Sequence, residues 1–174
     1  MHEFLMGHLV HIVAFATLIS RLGDIGTTYL VSPTLRVEAN PIARRLGWKY
    51  ILATAVIALI PYRSIHGGVL VLTASFLIAA SNASEAMLAR FMGEEHYAAL
   101  SREAIQKMPF WLGLSLLCLP GIFFLMLGLM MLLLFPESSN RWGFDMAEGT
   151  VAAAAAILIF YPIRFVSERR LLNT

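Results

Sequence analysis

Residues 111–135 read WLGLSLLCLPGIFFLMLGLMMLLLF, an almost unbroken run of leucine, methionine and phenylalanine. Ser115, Cys118 and the pair Pro120-Gly121 are its main interruptions. A helix needs about 20 mostly apolar residues to cross the hydrocarbon core of a bilayer. This stretch therefore predicts a transmembrane helix, and the rest of the chain is best interpreted as part of a membrane protein.

The composition of the whole chain indicates the same class. Of 174 residues, 59% are hydrophobic and only 14% are charged, and the mean hydropathy is +0.74. Such a chain has too little polar surface to cover a soluble globule. We predict an all-α fold, a single integral membrane domain over residues 1–174 that forms a polytopic helix bundle. It has about five transmembrane helices and one interfacial amphipathic helix. The predicted spans are 5–31, 43–62, 67–88, 110–135 and 147–166, and the interfacial helix covers 94–107.

The span at 43–62 has the shortest apolar stretch. Arg44, Arg45 and Lys49 lie in its first turns and leave about 13 uncharged residues after Lys49. Long basic side chains extend along a helix to reach the interface, which makes a short span tolerable.

Basic residues in the short loops predict the orientation. With the N-terminus outside, ten lysines and arginines fall on the inner side and only two on the outer side. The inner ones are Arg36, Arg44, Arg45, Lys49, Arg90, Arg102, Lys107, Arg164, Arg169 and Arg170, and the outer ones are Arg63 and Arg141. We expect a protein of the plasma (inner) membrane with an outer N-terminus and a cytoplasmic C-terminus. The pI near 8.9 then reflects orientation and lipid contact, and no motif indicates nucleic-acid binding.

Polar residues concentrate in the predicted inner half of two spans and in one inner loop. They are Arg21, Asp24, Thr27 and Thr28 in the first span, Glu38 and Asn40 in the loop after it, and Asn82 and Glu85 in the third span. Ionisable groups inside a membrane are costly and usually face a protein interior or a water-filled cavity. Carboxylate and amide oxygens suit a divalent cation such as Mg²⁺, Ca²⁺ or Mn²⁺, or a pair of carboxylates that carries a proton.

An alternative gives each of these residues a structural role. Arg21 and Asp24 would form an i,i+3 ion pair at the interface. Asn40 would cap the helix that begins at Pro41, and Glu85 would contact lipid headgroups. The sequence leaves both interpretations open.

Histidines lie on the predicted outer side. His8 and His11 are three residues apart on one helix face, His2 precedes them, and His66 lies in the loop before the third span. Histidines at this spacing can share a Zn, Cu or haem site with a third ligand. Interfacial histidines without a metal are commoner, and only Glu3 is placed to orient one of them. The metal candidates are therefore His8, His11 and His66, with an ordinary interfacial role as the alternative.

Residues 24–48, DIGTTYLVSPTLRVEANPIARRLGW, resemble a family of small, uncharacterised prokaryotic membrane proteins. In that family an Asp followed by Thr near the end of the first helix precedes a Glu-x-Asn-Pro turn. The matching residues here are Asp24, Thr27 or Thr28, Glu38, Asn40 and Pro41. The family is a domain of unknown function. The resemblance implies that Asp24 and Glu38 belong to one group of functionally related residues, and it implies no activity.

The size and polarity of the chain favour a non-catalytic accessory or assembly subunit. It has almost no mass outside the predicted membrane, so it would pack against other membrane proteins or against copies of itself. A second candidate is a transport protein that binds a cation or proton at Asp24, Glu38 and Glu85. A third is a metal-dependent enzyme that acts on a lipid or prenyl substrate. Gly-x-Ser-x-Gly, His-Glu-x-x-His and phosphate-binding glycine motifs are absent. The sequence identifies no cofactor, and a divalent cation is the one expected if the carboxylates form a site.

Overall fold

The structure, a computed structural model, describes the backbone of residues 2–171 and the side chains of residues 8–170. All regular structure in that part of the chain is helical. The elements are α1 (His2–Val31), α2 (Pro41–Leu46), α3 (Trp48–Ala53), a 3₁₀ segment (Thr54–Tyr62), α4 (Ile65–Met92), α5 (Glu94–Lys107), α6 (Phe110–Leu134) and α7 (Arg141–Leu171). The side chain of His2 lies outside the described residues.

Four of these helices are long and apolar enough to cross a membrane. They are His8–Val31, Ile65–Met92, Phe110–Leu134 and Arg141–Arg170. Their outward surfaces carry large apolar side chains, such as Leu133, which is 84% exposed. The predicted all-helical bundle of apolar helices is confirmed at this level.

Helices α1, α4 and α7 run in the same direction. Thr17 of α1 lies beside Gly68 near the start of α4, and Val31 at the end of α1 packs on Ala89 near the end of α4. In the contacts between α7 and α4, residue numbers increase along both helices in the same direction, which makes the two helices parallel. The contacts are Asp145 with His66, Gly149 with Leu70, and Tyr161 with Glu85. Because α1 and α4 are parallel neighbours, the chain between them must return along the bundle.

The return is made by α3 and the 3₁₀ segment, which run antiparallel to α1. Three contacts mark its course: Trp48 beside Tyr29, Thr54 beside Arg21, and Tyr62 beside His11. Residues 11–29 of α1 rise about 27 Å. Six α-helical and nine 3₁₀ residues cover about the same distance, because a 3₁₀ helix rises about 2.0 Å per residue.

The predicted span at 43–62 is thus built from three pieces rather than one α-helix. Gly47 separates α2 from α3 with a φ of 74°, a conformation that favours glycine. The tighter winding of the 3₁₀ segment lengthens a stretch that would be short as an α-helix.

Helix α6 packs against α7 through small residues. The buried glycines of α6 face bulky residues of α7: Gly113 faces Phe165, Gly121 faces Leu158, and Gly128 faces Val151. A Cβ at Gly121 would lie only 2.7 Å from Leu158, so a larger residue would push the helices apart. Close approach at small residues is how helices associate in membranes.

Candidate functional site

A cavity of about 280 Å³ lies at the end of the bundle that holds the loop 32–40, the predicted inner end. Its walls come from α1, this loop, α2, α3, the start of the 3₁₀ segment, α4 and α7. All the predicted carboxylates and amides line it, with two of the supporting residues: Asp24, Glu38, Asn40, Asn82, Glu85, Arg21 and Thr28. Thr27 instead donates to the backbone oxygen of Asp24 at 3.0 Å. The structure therefore brings nearly the whole predicted set to one place.

The cavity extends from the loop toward the middle of the bundle. Glu38 lies in the loop, whereas Arg21 and Thr54 line the far end. Arg21 precedes the end of α1 at Val31 by about 15 Å along the helix axis. That depth is about half of the hydrocarbon thickness of a bilayer.

Arg21 and Asp24 form an ion pair at the deep end. Arg21 Nη1 lies 2.6 Å from Asp24 Oδ2, and the two side chains are only 14% and 13% exposed. The same guanidinium donates to Thr54 at 2.6 Å and to Ser75 at 3.3 Å. The ion pair expected under the structural alternative is therefore present. It lies within the cavity wall, and the charge of each partner is compensated by the other.

Glu85 accepts hydrogen bonds from two tyrosines, Tyr161 at 3.1 Å and Tyr97 at 3.2 Å. Burial and the nearby Glu85 charge raise the pKa of Tyr97 to about 12, so this hydroxyl keeps its proton and donates at neutral pH. Glu85 forms no ion pair among the residues whose side chains are described. Its negative charge is thus met by hydroxyl groups.

Glu38 is held in the loop by its neighbour Asn40, whose backbone N–H donates to Glu38 Oε1 at 2.7 Å. Asn40 Oδ1 in turn caps α2, as the structural alternative expected. Burial raises the pKa of Glu38; the Asn40 hydrogen bond opposes this, and the charges of Asp24 and Glu85 add to it, with Arg164 acting against them. Glu38 therefore takes up a proton, or attracts a cation, more readily than an exposed glutamate does.

Arg164 contributes the second guanidinium of the cavity wall, from α7. It is 8% exposed, and it donates to Glu168 at 2.9 Å and to Ser101 of α5 at 3.1 Å. Glu168 also lies 3.9 Å from Arg44 of α2, at the end of the bundle that holds the loop 32–40. Arg164 is thus already paired with an acid.

The loop 32–40 is tied to α5 by Glu94. Its carboxylate accepts from Ser32 at 2.6 Å and from the Thr34 hydroxyl at 2.8 Å. Burial tends to raise the pKa of Glu94, but the hydrogen bonds from Ser32 and Thr34 together lower it. The carboxylate stays charged at neutral pH and fixes the loop that carries Glu38.

A second cavity of about 210 Å³ lies between α5, α6 and α7. It is lined mainly by apolar residues and shares Glu85, Tyr161 and Arg164 with the first cavity. These three side chains therefore form a wall between the two spaces.

The predicted outer histidines are not assembled as metal ligands. His11 contacts Tyr62 at 3.1 Å, His66 Nδ1 lies 2.5 Å from the buried Asp145, and His8 is exposed. In the described part of the chain, no group of three His, Cys, Asp or Glu side chains is arranged to hold a metal ion. This applies to the cavity carboxylates as well as to the histidines.

Sequence reasoning missed the side chains that α7 supplies. Tyr161 lies 76 residues from Glu85, its hydrogen-bond partner, and the sequence places it only within the last predicted span. A signal was nevertheless available. Tyr161, Arg164 and Glu168 follow one another at intervals of three and four residues, so they share one face of α7 near its C-terminal end.

Comparison of the chain with models of known protein families, with curated proteins and with solved structures gives no match.

Proposed function

We propose that the protein is a small transport protein of the inner membrane that binds a cation or a proton in this cavity. One observation carries the proposal: Glu38 and Glu85 line the same deep cavity, and neither has an ion-pair partner among the described side chains. Both carboxylates are partly buried, and a carboxylate shielded from water without a fixed countercharge attracts mobile cations.

The remaining charges of the cavity support a cation rather than an anion. Arg21 is paired with Asp24, and Arg164 is paired with Glu168. Because each arginine already has an acidic partner, Glu38 and Glu85 leave the cavity with excess negative charge. Such a cavity concentrates cations and repels anions.

Transport across the bilayer also requires that the cavity belong to a membrane-spanning bundle, for which we propose five crossings. If the parallel helices α1 and α4 both cross, the antiparallel return through the 3₁₀ segment crosses as well. An outer N-terminus and a cytoplasmic C-terminus then put the cavity on the cytoplasmic side. Helix α5 lies along the inner surface, with Ala98 and Ile105 buried toward the bundle.

Cysteine labelling tests this topology in a Cys118→Ser background. Ser64→Cys and Ser138→Cys, both at exposed positions, are expected to react with a membrane-impermeant maleimide added outside intact cells. Glu95→Cys on α5 is the inner control and should react only after permeabilisation. A reporter fused after Thr174 should be cytoplasmic. Protection of Ser64→Cys while Ser138→Cys is labelled would reject the fifth crossing.

Flux measurements in liposomes test the function. Liposomes that contain the protein and a pH-sensitive dye are expected to dissipate an imposed proton or cation gradient faster than empty liposomes. Glu38→Gln and Glu85→Gln should each lower the initial rate at least about 10-fold, because the amide keeps the shape and loses the charge. The double variant should lose little more than either single one, since the two groups act as a unit.

Glu103→Gln is the matched control for these variants. Glu103 is an exposed glutamate of α5 that pairs with Lys107, outside the cavity lining, so its replacement should leave the flux unchanged. A wild-type protein with no flux above empty liposomes would contradict the proposal. Co-purification of a fixed membrane partner, equally strong in all variants, would then favour the accessory subunit expected from the sequence.

A further inference from the structure

We infer that the cation bound in the cavity is a small organic ammonium ion, an inference that rests on the proposed cation-binding function. The first reason is space. A volume of about 280 Å³ equals that of about nine water molecules at about 30 Å³ each. A bare metal ion fills little of this volume and needs several converging ligands. No group of three His, Cys, Asp or Glu side chains converges in the described residues.

The second reason is the aromatic lining. Tyr50 of α3 and Phe160 and Tyr161 of α7 line the same cavity as Glu38 and Glu85. An ammonium group is attracted to the face of an aromatic ring and to carboxylates, and the attraction is stronger where water is excluded. Aromatic rings together with acidic groups thus favour an ammonium ion over a hydrated metal ion.

The third reason is the apolar remainder of the wall. The lining includes aliphatic side chains from four helices: Ile25, Val31, Ile51, Ile78 and Ile157. Alkyl carbon atoms of a ligand gain free energy when they leave water for such a surface. A fully hydrated inorganic cation gains nothing there, whereas an alkylammonium ion satisfies both the charged and the apolar parts of the wall.

Calorimetric titration of the full-length protein in nanodiscs tests the inference. The probes are n-butylammonium and tetramethylammonium, compared with Na⁺, Mg²⁺ and the anion butyrate. We expect both ammonium ions to bind more tightly than Na⁺ or Mg²⁺, and butyrate not to bind. Glu38→Gln should weaken ammonium binding at least about 10-fold. Tyr50→Leu should weaken it about 5-fold, while Tyr50→Phe, which keeps the ring, should preserve it.

Two further variants separate a local effect from misfolding. Phe160→Leu repeats the aromatic test on α7 if Tyr50→Leu fails to fold, and Phe123→Leu on the exposed face of α6 is the neutral control. Proton or Na⁺ binding that depends on Glu38, with no ammonium binding, would overturn this inference and leave the proposed function intact. If no tested cation binds and no Glu38-dependent proton uptake is detected, both this inference and the proposed function are overturned. Equal ammonium affinity in Tyr50→Leu, Phe160→Leu and wild type would also overturn the inference.

Discussion

Gly149→Leu is expected to abolish the folded bundle, at a cost of more than about 3 kcal/mol. A Cβ at Gly149 of α7 would lie 2.5 Å from the backbone oxygen of Leu70 and 2.8 Å from the Cβ of Thr73, both on α4. Neither atom is the flexible end of a long side chain. Helix α7 must therefore move away from α4 along its whole contact, and the buried surface between the two helices is lost. Size-exclusion profiles and melting temperature of the purified protein measure the effect.

Glycines of α1 provide the matched control for this prediction. Apart from its own stretch of helix, a Cβ at Gly23 or Gly26 would meet no described atom within 4 Å. Gly23→Ala and Gly26→Ala are therefore expected to be neutral or to stabilise by about 0.5–1 kcal/mol, because alanine is the better helix former. A Gly149→Leu protein that melts at the wild-type temperature would show that α4 and α7 do not approach closely at this point.

The close contact at Gly149 also positions the candidate site. Further along the same pair of helices, Tyr161 of α7 donates to Glu85 of α4 at 3.1 Å. A sideways shift of α7 by the width of one methyl group would break that hydrogen bond. The milder Gly149→Ala variant is thus a probe of how packing in the half of the bundle that contains Gly149 sets geometry in the half that contains the cavity.

Local signals in the sequence predict the helices well. The apolar runs give α1, α4, α6 and α7 because an isolated backbone in hydrocarbon must satisfy its own hydrogen bonds as a helix. Ser32-Pro33 predicts the end of α1, which ends at Val31, and Asn40-Pro41 predicts the start of α2. Asn40 makes the expected cap through hydrogen bonds to Ile42 and Ala43. These features depend on neighbours in sequence, so they can be read without knowing the tertiary structure.

The return segment could be predicted only in part. The charges at Arg44, Arg45 and Lys49 show that the apolar stretch is short for an α-helix. They do not show that the chain winds as a 3₁₀ helix from Thr54 to Tyr62. That choice depends on the length of α1 beside it, because the return must cover the same distance with fewer residues.

The candidate site could also be predicted only in part. Asp24, Glu38, Asn82 and Glu85 could be assigned to the same half of the bundle, because the predicted spans place all four toward the end that holds the loop 32–40. Their partners could not be assigned, because Tyr161 reaches Glu85 only through the packing of α7 on α4. The sequence alone also offered Glu85 a place among lipid headgroups, whereas the structure surrounds it with two tyrosines.

The ion pair at the deep end of the cavity is expected to give the second large effect. Asp24→Asn leaves Arg21 buried without its acidic partner, and Arg21→Met leaves Asp24 buried without its basic partner. Each single variant should lose about 3–5 kcal/mol of stability. The double variant should recover most of that loss, because it removes both charges and leaves neither uncompensated. Denaturation in nanodiscs measures all three variants against the wild type.

The pair Glu103 and Lys107 on α5 is the control for this cycle, since both side chains are exposed and their coupling should be weak. Additive losses at Arg21 and Asp24 would mean that the two charges are solvated independently, and Asp24 would then be free to bind a cation. Strong coupling has the opposite consequence. It commits the Asp24 carboxylate to Arg21 in every state that keeps the bundle folded. Glu38 and Glu85 are then the two cavity carboxylates without an ion-pair partner in the described structure, and they are the groups to which we assign the proposed cation.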